Sequence, residues 1–198
     1  LVVQAGHGDQ EMMREVDRFE IQGHGRNFTL TAAGRADGGC PANIWRMSKQ
    51  YERGLVWFRR DLRTHDHAAL HQALSSCRQV FCLFVFDREI LDGLPRADRR
   101  VEFIWHSLVE LDAALEALAL PHGVPGAGLM VLHDTARIAV VQQALALGVQ
   151  AVFTNHDDEP QAIARDADVA AGLSAQGVGF HSFKDHVVFE RSELLTQA

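Results

Sequence analysis

A chain of 198 residues that is 47% apolar and carries a formal net charge of -7 suits one α/β domain, or one domain and a tail. Basic and acidic residues balance up to Arg53, so the whole acidic excess falls beyond it, opposite in sign to a surface built for the phosphate backbone of DNA. No apolar run approaches the roughly 18 residues of a membrane span, and Leu1 to Glu20 has no basic leader ahead of an apolar block, so no secretory signal is expected.

Residues 1–46 mix glycines, polar residues and scattered apolar ones without a sustained period of 3.6 or 2. They read as an irregular N-terminal extension, with Met47 as the natural start and residues 47–198 as the domain. Leu55–Phe58 is a short apolar strand. Asp66 is placed to cap a helix whose stripe is Leu70, Ala73, Leu74 and Cys77. Gln79–Phe86 is almost wholly apolar, as a strand covered on both faces must be. Asp98 caps a long helix with Ile104, Leu108, Leu111, Leu115 and Leu118 along one side. The stretch HGVPGAG is a loop, and Leu129–Leu132 a third strand. Thr135–Leu147 is a helix stopped by Gly148, and Val149–Thr154 a fourth strand. A helix opens at Pro160 and runs to about Gln176 before Gly177. Val178–Phe183 is a fifth strand. Strand and helix in alternation with short loops predict a doubly wound, Rossmann-like α/β fold: a five-stranded parallel sheet ordered 3-2-1-4-5 with helices on both faces.

In such sheets ligands bind beyond the carboxyl ends of the strands, where strand order reverses. Strand one ends in Arg59-Arg60-Asp61, strand two in Asp87, strand three in His133-Asp134, and strand four in Asn155-His156-Asp157-Asp158-Glu159. Strands one and four flank the reversal, so arginines face carboxylates there. They can pair with one another or hold a polar ligand. No GxGxxG follows strand one and no GxxxxGK[ST] occurs, which removes a dinucleotide cradle and a P-loop. His65, His67 and His71 complete no familiar zinc spacing and read as solvated histidines at a helix start. No catalytic nucleophile signature occurs. Trp57 and Trp105 fit core packing. Cys40, Cys77 and Cys82 form no CxxC and read as reduced thiols of a cytoplasmic protein.

The stretch LVWFRRDLRTHD resembles the opening strand and loop of the DNA photolyase/cryptochrome family. FVFDREIL, RRVEFIWHSLVELDAAL, VFTNHDDEPQAIARD and DHVVFERSELLTQA follow in the family's order, so the resemblance runs from Met47 to Ala198. It implies the family's N-terminal antenna domain. The antenna is a deazaflavin or a folate, ranked ahead of a flavin, with Arg60, Asp87, Asn155, Asp157 and Glu159 lining its crevice. The FAD-binding helical domain of the family, which also receives damaged DNA, has no counterpart in these residues. By this resemblance the chain is part of a monomeric, light-driven repair enzyme for cyclobutane pyrimidine dimers, partnered by its own FAD domain and with no catalytic residue or metal here. A cryptochrome-type photoreceptor shares the domain, and a free-standing α/β nucleotide-binding module is a third reading. The family has Asn where this chain has His67, and often an aromatic residue where it has Asp158.

Overall fold

The computed structural model describes residues 30–31, 49–95, 98–124, 126–185 and 187. The expectations for most of residues 1–46, for Cys40 and for most of the last resembling segment lie outside them. The strands are β1 (Leu30–Thr31), β2 (Tyr51–Phe58), β3 (Cys77–Asp87), β4 (Met130–Asp134), β5 (Ala151–Asn155) and β6 (Gly179–Phe183). The helices are α1 (Ala68–Ser76), α2 (Arg88–Leu91), α3 (Arg99–Ala119), α4 (Ala136–Leu147) and α5 (Pro160–Ser174). Five strands are parallel in the order β4-β3-β2-β5-β6, which is 3-2-1-4-5 counted from the first of them. The two-residue β1 pairs antiparallel with Gln79 and Val80 of β3.

Alternation along the strands divides the core into two layers. Val56, Phe58, Val80, Cys82, Phe84, Phe86 and Phe153 pack with Leu70 and Ala73 of α1 and Leu108, Leu111 and Leu115 of α3. Leu55, Trp57, Phe81, Leu83, Val85 and Val152 pack with Ala139 and Val140 of α4 and Val169 and Leu173 of α5. Each fully buried large apolar side chain contributes about 1.5–3 kcal/mol.

Local departures from the sequence reading have local causes. The first parallel strand begins at Tyr51, ahead of Leu55, because the backbone ladder to β3 continues through Tyr51 and Arg53 whatever their side chains. Gly54 lies in that ladder, where a Cβ would come within 2.4 Å of the Cys77 sulfur. Cys77 opens β3 and is not part of the α1 stripe. Asp66 does not cap α1: its φ of 50° is left-handed, whereas an N-cap needs extended backbone. His67, at φ -122° and ψ 103°, takes that place, and its Nδ1 accepts from the Leu70 N–H at 3.0 Å. Leu118 is 37% exposed and Ala119 is buried in its stead, as the 3.6-residue period from Leu111 and Leu115 requires. Asp98 and Gly148 cap α3 and α4 as expected. No helix among the described residues is long and apolar enough to cross a membrane.

Candidate functional site

β2 and β5 are neighbours, and the loops beyond their carboxyl ends meet in two polar clusters. One is buried. Asp61 turns inward and accepts from the Arg59 backbone N–H at 2.8 Å and from Asn155 Nδ2 at 2.7 Å. Because His67 Nδ1 accepts from Leu70, its proton sits on Nε2, which lies 2.7 Å from Asp61 Oδ2. Asn155 Oδ1 accepts from the Ala69 N–H at 2.9 Å. The network thus ties the β2 loop, the first turn of α1 and the end of β5. Burial pushes the Asp61 carboxyl up, but the hydrogen bond from His67 and those from the backbone outweigh it and hold it below the usual range. His67 is buried against Phe58, which corrects its expected solvation; His65 and His71 are exposed.

The second cluster faces solvent. Arg60 pairs with Asp157 at 3.1 Å and with Glu159 at 2.8 Å, and the Arg60 and Glu159 side chains are 57% and 59% exposed. The Glu159 hydrogen bond, with the charge of both acids, raises the Arg60 guanidinium above its ordinary value. Arg63 makes a two-pronged contact with Asp185. All three arginines of the β2 loop are therefore matched to acids, since Arg59 pairs with Asp166 at 2.6 Å and also donates to the Asn155 carbonyl.

Asp87 stands apart from both clusters. It caps α2 through the Glu89 N–H at 3.2 Å, accepts from the Ala136 N–H at the start of α4 at 3.2 Å, and lies 3.6 Å from Arg165. Arg59 and Arg165 place their guanidinium carbons 5.0 and 5.4 Å from the centroid of the Trp57 ring, a cation–π arrangement. Burial lowers the Arg59 pKa and raises that of Asp166. Arg165 Nε is buried, lies 3.9 Å from Asp166 Oδ1 and has no hydrogen-bond partner among the described residues. A chain of charge, Asp87–Arg165–Asp166–Arg59, thus joins the end of β3 to the end of β2 above Trp57.

Of the five residues marked from sequence, Arg60, Asp157 and Glu159 come together. Asn155 lies beneath them with its amide engaged, and Asp87 joins a different set of partners. Sequence reasoning passed over Arg59, Arg165 and Asp166 as ligand-site candidates. Their signal was present in the FRRD and AIARD stretches, but a charged pair on a helix normally reads as solvated. Trp57 packs as expected and in addition carries the two guanidiniums. A half-open cavity of about 480 Å³ lies beside the buried cluster at the start of α1, lined by Arg63, Asp66, His67, Leu70, Leu118 and Asp185.

The sequence profile described as DNA photolyase matches residues 54–198. A deoxyribodipyrimidine photo-lyase of Synechococcus is 30% identical over 142 residues, covering 72% of this chain and 28% of that protein. Cryptochrome-1 of Arabidopsis thaliana is 32% identical over 143 residues, covering 71% of this chain and 20% of that protein. An archaeal photolyase from Sulfolobus tokodaii, whose crystal structure holds two FAD molecules, superposes with a TM-score of 0.63 at 29% identity, covering 73% of this chain and 32% of that one. The chain thus spans less than a third of the length of these relatives and corresponds to their N-terminal part. The switch-point sheet, the charged ends of β2 and β5 and the profile match agree: this chain belongs to the DNA photolyase family and comprises its N-terminal α/β domain.

Proposed function

We propose that this domain holds an antenna chromophore at the carboxyl ends of β2, β3 and β5 and serves a photolyase whose FAD sits in a separate domain. The observation that carries this is the set of charged groups left reachable where strand order reverses. Arg60 and Glu159 are more than half exposed. The carboxylates of Asp157 and Glu159 suit the N–H edges of a deazaflavin or a pterin, and Arg60 suits a carbonyl or an acidic side chain of either. Asp87 orients Arg165, and Asn155 holds the β2 and β5 loops in register, so both enter as positioning residues. When bound, the chromophore absorbs light and passes the excitation on; these side chains bind, orient and exclude water and are not asked for acid or base catalysis. A deazaflavin or folate is favoured over a flavin; the flavin alternative is supported by the second FAD of the Sulfolobus tokodaii structure.

The whole-protein activity that fits is light-driven repair of cyclobutane pyrimidine dimers, with DNA bound through the FAD domain. The similarity to Cryptochrome-1 supports a second reading, a blue-light photoreceptor. Dimer repair by the protein joined to its FAD domain separates the two. For the site itself, the full chain is titrated with a deazaflavin and with a reduced folate, followed by fluorescence anisotropy. The Arg60→Ala, Glu159→Ala double variant is expected to weaken binding at least tenfold with its unfolding midpoint unchanged. Unchanged affinity overturns the placement of the site.

A further inference from the structure

Histidine is the side chain that gains a proton in mild acid, and the buried network at the ends of β2 and β5 contains one, His67. Its ring makes two bonds of opposite character. Nε2 donates to Asp61 Oδ2 at 2.7 Å, and Nδ1 accepts from the Leu70 N–H at 3.0 Å. The side chain has no exposed surface, so water replaces neither bond. A second proton can sit only on Nδ1, where it would meet the Leu70 N–H, donor against donor. The other acceptors of the network are committed. Asp61 Oδ1 takes the Arg59 N–H, Asp61 Oδ2 also takes Asn155 Nδ2, and Asn155 Oδ1 takes the Ala69 N–H. The charged and titratable groups around the ring are Asp61 of the β2 loop and, along the neighbouring cavity, Arg63, Asp66, His71, Lys184 and Asp185. Arg63 is joined to Asp185 and to the Asp66 carbonyl, and Phe58 packs on the ring. Asp61 therefore holds the imidazolium at Nε2 while the cap at Nδ1 has no place for it. The protonated ring keeps Asp61 and gives up Leu70.

What the ring gives up is a latch. The first turn of α1 is fastened at two adjacent N–H groups, Leu70 to His67 and Ala69 to Asn155. The cavity of about 480 Å³ borders that same turn, with Ala68, Leu70 and His71 in its lining, so a released turn has space to move into. We infer that His67 is a positioning residue for the strand-end loops, and that its protonation unlatches the first turn of α1 from the ends of β2 and β5. Neutral pH fastens the latch and mild acid opens it. Asp61 adjoins Arg60, and Asn155 lies two residues from Asp157, so an open latch loosens the support beneath the Arg60, Asp157 and Glu159 cluster. That last consequence rests on the proposed chromophore site; the latch itself does not.

The test is amide exchange in the full chain, expressed as protection relative to an unfolded peptide so that the intrinsic pH dependence of exchange drops out. The range runs from about pH 7.5 to about pH 5.5, either side of an ordinary histidine. Asp61, held below the usual carboxylate range, stays ionised throughout. Protection at Ala69 and Leu70 is expected to fall about tenfold, the size of one lost N-cap, while Val140 in α4 keeps its protection. His67→Asn, which caps without titrating, is expected to abolish the pH dependence. Protection at Leu70 that stays level with pH in the parent chain overturns the inference. So does an equal fall in His67→Asn, which would assign the proton to another group such as His71. Deazaflavin affinity, followed by fluorescence anisotropy over the same range, is expected to fall further in the parent than in His67→Asn. An equal fall in the two overturns the link from the latch to the exposed cluster. Absence of deazaflavin binding by both proteins at neutral pH counts against the chromophore reading alone, because the amides report the latch without a ligand.

Discussion

The buried and exposed clusters at the ends of β2 and β5 use adjacent residues and do opposite work. Asp61 and Arg60 are neighbours, and Asn155 and Asp157 lie two residues apart, yet Asp61 and Asn155 are sealed inside while Arg60 reaches water. The buried cluster is closed: Asp61 accepts from three donors and both ends of the Asn155 amide are used. The exposed cluster is open, with Arg60 and Glu159 more than half accessible. A closed, dry network fixes the loops, because each group in it would be costly to leave unpaired. An open ion pair adds little to stability and keeps groups available to a ligand. Stability and the proposed recognition are thus separated by one residue beyond β2, from Asp61 to Arg60, and by two beyond β5, from Asn155 to Asp157.

The sharpest way to break this contrast is Asn155→Ala, which strips the buried network of its centre and leaves the Ala69 N–H without its acceptor. A loss of about 3 kcal/mol is expected in urea unfolding; less than 1 would mean the network does not hold the loops. His67→Asn should cost about 1 kcal/mol, because Asn remains a good helix N-cap but cannot also reach Asp61 as the ring does. An equal cost for His67→Asn and His67→Ala would show that capping contributes nothing. Acid is a gentler probe. The Asp61 carboxyl is held below its ordinary value of 3.8 in the folded state, so its contribution is fully present above the unfolded pKa of about 3.9. It fades as pH falls through the lower folded value. Asp61→Asn should remove that part of the acid dependence, visible as a shallower fall of the unfolding midpoint below about pH 4. At the small end stands the Arg60→Ala, Glu159→Ala variant, whose stability should stay within about 0.5 kcal/mol of the parent chain.

Much of this was readable from sequence because it depends on periodicity. The apolar run Gln79–Phe86 and the glycine stop at Gly148 each encode one local decision, and the alternation of such strands and helices along the chain points to the parallel sheet. The charged strand ends were readable for the same reason, since topology puts them in one place. What could not be read is which way each charge turns. Arg60 and Asp61 are consecutive, and only the fold directs one outward and the other under α1. A histidine among charges, as His67 is in sequence, reads as solvated; its burial follows from the left-handed Asp66 before it, which no pattern announces. Arg165 and Asp166 were legible as part of a family segment, but their path onto Trp57 needed α5 in position.

Gly54 has an effect that reaches beyond its own strand. A methyl group there would sit 2.4 Å from the Cys77 sulfur and 3.1 Å from the Phe153 ring, so β2 can lie beside β3 in this register only while position 54 stays bare. The two positions must therefore drift together: a lineage that acquires alanine at 54 is expected to have shrunk residue 77 first, and a bulkier residue at 77 would lock glycine in place. The start of the sheet is, in this sense, a historical contingency written in two atoms.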